Sequence, residues 1–122
     1  MAIPSGSGTE VLKTVALGGV TDMGSGSGKT LITTTTTAID TIISITFCNV
    51  HASTVNEITL YWKPTGGTNV YILVKEPCPG YSTYIINDRI ILPSVAGVLY
   101  AQAEANVSSQ NILCSYIHQD WT

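Results

Sequence analysis

The sequence predicts an all-β protein: a single antiparallel β-sandwich, jelly-roll-like, of about seven to eight strands with an extended N-terminal arm. Three observations carry this reading. Apolar and polar residues alternate over short runs, at the period of a strand and not of a helix. Turn signals recur roughly every 8–12 residues, as in small sandwiches. Hydroxyl residues are abundant, with 17 Thr and 11 Ser among 122 residues, and β-branched Thr favours extended backbone.

Each element follows in order. Residues 1–12 read as an arm, because Pro4-Ser5-Gly6-Ser7-Gly8 offers nothing to bury; residues 13–122 read as the sandwich. A first strand candidate covers residues 11–17, closed by Gly18-Gly19. Gly24-Ser25-Gly26-Ser27-Gly28 is a flexible connector. Leu31-Ile32 and the five threonines Thr33 to Thr37 form a polar strand suited to a sheet edge. Residues 40–50 alternate most clearly, with Ile43, Ile45 and Phe47 on one face. His51-Ala52-Ser53-Thr54 reads as a turn, and residues 57–63 return with Ile58, Leu60 and Trp62 facing the core. Pro64-Thr65-Gly66-Gly67 is a strong turn. Val70, Ile72 and Val74 open the next strand, which Pro77-Cys78-Pro79-Gly80 breaks. Residues 81–86 and 89–92 flank a turn at Asn87-Asp88, and residues 98–103 and 111–118 form a last pair.

Composition narrows the function. Charged residues are 11% of the chain, against about 25% in an average domain. Five basic residues and a net charge of −3 cannot neutralise many phosphates, which argues against a duplex nucleic-acid binder. The start, Met1-Ala2-Ile3-Pro4, has neither the basic nor the apolar region of a secretory signal. The most apolar run, residues 90–101, is interrupted by Pro93, Ser94 and Gly97 and is about half a membrane span. The expectation is a soluble protein made in a cytoplasm, with no membrane partner. Three cysteines do not suggest a disulfide framework. Cys48 and Cys114 read as buried apolar residues, and Cys78, between two prolines, as more exposed.

Several motifs invite chemistry and fail on spacing. Met23-Gly24-Ser25-Gly26-Ser27-Gly28-Lys29-Thr30 imitates a phosphate-binding loop. It lacks the required glycine at position 23 and opens a strand where such a loop opens a helix. Cys48, His51, Cys114 and His118 could together suit zinc. Cys114 and His118 would, however, lie roughly 13 Å apart on one extended strand. No nucleophile elbow, zinc-protease helix or carboxylate pair is evident. The expectation is no enzyme, no metal and no cofactor. Asn106-Val107-Ser108 reads as a chance glycosylation sequon. Among the aromatics, Trp62 reads as core, while Tyr81, Tyr84 and Trp121 are the candidate surface contacts.

The stretch from Ile39 to Asn49, a short turn, and Val55 to Trp62 resemble small virion structural proteins of tailed bacteriophages. The opening from Met1 to Leu12 resembles the arms of such proteins. The resemblance covers residues 1–12 and about 39–75. It implies a non-enzymatic virion component, made in a host bacterial cytoplasm and packed as a homo-oligomer. Capsid decoration (cement) is favoured within that class, with a neck, tail or fibre component as the alternative. Its partners would be other virion proteins, with arm residues Ile3, Pro4, Val11 and Leu12 laid over a neighbour. A low-charge, hydroxyl-rich surface suits such packing, because a buried unpaired charge is costly. A module reading host-surface glycan or protein through an aromatic patch is the second expectation.

Overall fold

The computed structural model describes residues 9–24, 26–104 and 110–120. Their strands are β1 (Thr9–Val20), β2 (Lys29–Thr34), β3 (Ala38–Asn49), β4 (Asn56–Pro64), β5 (Val70–Cys78), β6 (Ser82–Ile86), β7 (Ile90–Leu92), β8 (Gly97–Ala103) and β9 (Gln110–Asp120). One antiparallel sheet has the order β1-β9-β3-β6, with β7 also on β3; the other has the order β2-β8-β4-β5. Consecutive strands mostly alternate between the two sheets, and among the described residues only β4 and β5 form a hairpin. With β6 and β7 counted as one interrupted strand, this is the eight-strand jelly roll.

Three connections differ from the sequence expectation. Residues 51–54 do not fold β4 back onto β3: the chain crosses there from one sheet to the other. The last pair is likewise split, with β8 beside β4 and β2 while β9 lies between β1 and β3. Asn87-Asp88 is not a hairpin turn. Ile45 pairs with Ile86 and Ile42 with Ile90, so β6 and β7 run end to end along β3, one residue out of step. Only Thr33 and Thr34 of the threonine run belong to β2, an edge strand flanked by β8; Thr35 to Thr37 make the turn into β3. Of the expected arm, residues 1–8 lie outside the described residues. Residues 9–12 continue β1, where Thr9 pairs with Asp120.

The core lies between the sheets. One contributes Ile42, Ile45, Phe47, Ile112 and Cys114; the other contributes Leu31, Ile32, Ile58, Leu60, Trp62 and Leu99. A bulge between Ile42 and Ser44 changes the phase of β3. Ile42 and Ile45 both point inward as a result, and Ile43, expected to share a face with Ile45 and Phe47, points out. Trp62 does pack in the core. Its Nε1–H donates to Thr34 Oγ1 at 3.0 Å, and that hydroxyl donates to the Val95 carbonyl at 2.6 Å. The ring lies against Gly97, where a Cβ would come within 2.9 Å of it. Gly28 (φ +90°) is required for a second reason: a Cβ there would stand 2.3 Å from the Ala101 carbonyl oxygen.

Polar groups hold one end of the sandwich. Asn49, fully buried at the end of β3, donates through Nδ2 to the carbonyls of Thr54 (2.7 Å) and Cys78 (3.0 Å). Its Oδ1 accepts from Gln110 Nε2 (2.7 Å) and the His51 N–H (3.1 Å). Cys78 is thereby drawn inside, at 1% exposure, and not left on the surface as its proline neighbours suggested. Its thiol lies 3.8 Å from the Phe47 carbonyl oxygen and 3.6 Å from that of Ser82.

Two predictions follow from this interior. Asn49→Ala removes an acceptor from the Gln110 amide and a donor from each of two carbonyls, and should cost roughly 3 kcal/mol, read as a lower urea midpoint with an unchanged slope. Burial pushes the Cys114 thiol up from 9.0 to about 11, and burial also raises the hydroxyls of Tyr61 and Tyr116. The native state then holds protons that the unfolded chain has released. Stability should therefore fall as pH rises from 9 to 11. Cys114→Ala should lower stability at pH 7 yet flatten that alkaline slope in denaturant titrations.

Candidate functional site: an apolar sheet face

The outward face of the β1-β9-β3-β7 sheet carries large aliphatic residues in register. Leu12 pairs with Ile117, Ile117 with Thr41, and Thr41 with Ile91. These four residues make one row across four strands. Its ends are the most open, Leu12 at 66% and Ile91 at 65% exposure. The β3 bulge adds Ile43 to this face. Further along, Ala16, Leu113, Thr46 and Ile85 make a second row, with Leu113 and Ile85 exposed.

A shallow depression of about 370 Å³ lies over the first row, between Ile43, Ile91 and Ile117. Glu10, Gln119 and Arg89 also line it, and Gln119 Nε2 donates to Glu10 Oε2 at 3.2 Å. A second depression of about 250 Å³ lies over the other row, lined by Ala16, Thr46, Cys48 and Leu113 among others. Exposed aliphatics in a contiguous array are the usual mark of a contact surface; single ones are not.

Of the expected arm contacts, Leu12 lies on this face. Val11, its neighbour in β1, shares the register of His118 and Asp40 on the opposite side. Ile3, Pro4 and Trp121 lie outside the described residues, as does the Asn106 sequon. Tyr81 is 73% exposed in the turn before β6, with φ +53° and its N–H donating to the His51 carbonyl at 3.0 Å. Tyr84 pairs with Phe47 and packs, partly buried, against the core. The two tyrosines therefore do not share a patch.

The zinc-like residues are spread out. His51 Nδ1 accepts the N–H groups of Ser53 and Thr54 at 3.3 and 3.2 Å, a turn role. His118 Nδ1 lies 2.6 Å from Oδ1 of the buried Asp40, and its Nε2 lies 3.8 Å from Asp120 Oδ2. Among the described residues no group of three or more potential ligands gathers around one point. Gly28 leads into β2, so the glycine-rich loop opens a strand. Among the described residues no helix is long and apolar enough to cross a membrane.

Sequence reasoning counted three further tyrosines among the aromatics that could form a binding platform, but did not group them. On the outer face of the other sheet, Tyr100, Tyr61 and Tyr71 stand side by side on β8, β4 and β5. Tyr61 lies 5.3 Å from Tyr100 and 5.8 Å from Tyr71, ring centre to ring centre. It is nearly buried, because the loop before β2 covers it and the Ser27 carbonyl accepts its hydroxyl at 2.7 Å. The signal available was an outward phase on β4 and β5; the register that joins the strands was not.

No protein-family model matches the chain, and no curated protein matches it either. Among solved structures, a protein of T=1 particles derived from infectious bursal virus is similar at 11% identity and a TM-score of 0.50. The match covers 93% of this chain and 32% of that one. A protein of the infectious bursal disease virus Gx strain gives 10% identity, a TM-score of 0.47, and coverage of 96% and 34%. A Bacillus endospore appendage protein, from disulfide-linked pili, gives 13% identity, a TM-score of 0.45, and coverage of 100% and 97%. The chain thus spans about a third of the length of the viral proteins. The likeness to the T=1 particle protein is one of fold, the two-sheet β architecture described above.

Proposed function

We propose that the chain is a non-enzymatic structural subunit of a virion, which works by packing against copies of itself and other shell proteins. The observation that carries this is the apolar face: two cross-strand rows, each aliphatic but for one threonine, with Leu12 and Ile91 each about two-thirds exposed. A lone domain in water gains nothing from such rows, whereas a neighbour seated on them removes apolar area from water at about 25 cal/mol per Å². The fold likeness to a particle-forming viral protein supports the reading. So does the resemblance of residues 1–12 and 39–75 to tailed-phage virion proteins.

Within this reading the specific role is capsid decoration. Each subunit would bridge shell proteins through its apolar face, with residues 1–8 reaching onto a neighbour. Such a protein acts mechanically and needs no reacting group. Many modest interfaces repeated over a shell resist pressure together, by the arithmetic of multivalency.

Light scattering after size exclusion tests this reading. The wild-type chain should run as a discrete oligomer. Ile91→Asp or Leu12→Asp should convert it to monomer with an unchanged melting temperature, since both side chains are exposed and lie outside the core. Removing residues 1–8 leaves β1 whole and should weaken assembly without unfolding the domain. A wild-type chain that stays monomeric at high concentration and ignores both substitutions would overturn the proposal.

A further inference from the structure

The geometry points to a second site, on the opposite sheet, that binds the ring of a neutral sugar. A depression of about 320 Å³ opens on the outer face of β8, β4 and β5, beside the tyrosine row. That volume is at the lower end of small-ligand sites. Thr59 lies between the side chains of Tyr71 and Val74 on β5 and those of Gln102 and Glu104 on the β8 side. Lys75 Nζ reaches Glu104 Oε2 at 3.6 Å.

The chemistry of these groups matches a pyranose. One face of such a ring presents C–H bonds, which pack on an aromatic plane; its rim presents hydroxyls, each both donor and acceptor. Tyr71 offers a ring that is 56% exposed and contacted at two points. Its centre is 5.8 Å from that of Tyr61, whose own hydroxyl is tied to Ser27, and its hydroxyl accepts from Asn69 Nδ2 at 3.3 Å. An aromatic already held in place loses little freedom when a ligand stacks on it. Glu104 supplies acceptors and Lys75 donors, and charge-assisted bonds of this kind are the stronger ones. Their charges cancel, so the depression gives no net pull on an anion or a cation. The ligand class is therefore an uncharged hexose or N-acetylhexosamine.

The backbone at this point is held in an unusual shape. Lys75 has φ +49°, in the left-handed region. Its N–H donates to Thr59 Oγ1 at 3.1 Å, where the ladder between β4 and β5 shifts register. A non-glycine residue is uncommon in that region, and such residues concentrate at functional sites. Here the shape belongs to the residue that carries the Lys75 ammonium to Glu104.

Two-dimensional amide NMR of the full chain tests the site. Glucose, galactose, mannose and N-acetylglucosamine would each be titrated to tens of millimolar, with N-acetylneuraminic acid as the charged comparison. At least one neutral sugar should shift the amides of Thr59, Tyr71, Lys75 and Glu104, leaving those of Leu12 and Ile91 unmoved. Tyr71→Phe should keep the response. Tyr71→Ala should weaken it about tenfold, roughly the worth of one stacked ring, with the melting temperature unchanged because the side chain is half-exposed. Silence with every neutral sugar, binding of the anionic sugar alone, or an undiminished response in Tyr71→Ala would each overturn the proposal. The site and the apolar face lie on different sheets, so failure of one leaves the other standing.

Discussion

Asn49 is where the two sheets are tied. It ends β3 in one sheet, bonds the carbonyl of Cys78 in the other, holds the Thr54 carbonyl of the crossover between them, and accepts from Gln110 of β9. A jelly roll has few hairpins to set its order, so the crossing segments must be fixed by side chains. Hydrophobic burial is indifferent to direction, and it would hold the sheets together in more than one alignment. A buried amide whose donors and acceptors are all used admits only one arrangement of its partners, because an unpaired polar group in the interior is costly.

From that tie the faces of the molecule follow. The phase of β3 runs back from Asn49 through Phe47 and Ile45 to the bulge, then resumes at Ile42 and Asp40. The inserted residue turns Ile43 outward, beside the row of Leu12, Ile117 and Ile91. The bulge thus transfers a large aliphatic from the interior to the outward face while the strand stays paired on both sides. On the other sheet the ladder shift near Thr59 does comparable work, aiming Lys75 at Glu104. Both candidate surfaces owe their shape to a local break in regular pairing, which is where sheets re-aim side chains.

Much of the fold was legible. Alternation located the strands, because a half-buried strand must alternate to put its apolar residues on one side. It also placed Ile58, Leu60 and Trp62 in the core. What it could not supply is which strand sits beside which. Residues 51–54 look like a hairpin turn because a turn and a sheet-to-sheet crossing need the same small polar residues. Asn87-Asp88 misled for the same reason. Cys78 looked exposed because prolines mark loops, and only the fold brings Asn49 beside it. The tyrosine row was invisible for the reason that hid the pairing: Tyr61, Tyr71 and Tyr100 are distant in sequence and meet only through register. Leu12 was singled out as a contact residue, and it stands on the apolar face. Its company there, Ile91 and Ile117, needed the topology to be found.

The place of β1 has a consequence for how the molecule is made. Its pairing partner is β9, which starts about ninety residues after β1 ends. A ribosome delivers the N-terminal strand first, at some 5–20 residues per second. For several seconds β1 has no place to dock, while the β4–β5 hairpin and the pairings of β6 and β7 with β3 can already form. Until then the strand is an open chain that carries Val11, Leu12, Val15 and Leu17 with no sheet to receive them. The sheet therefore closes only once β9 has emerged, and its first strand is among the last to be placed.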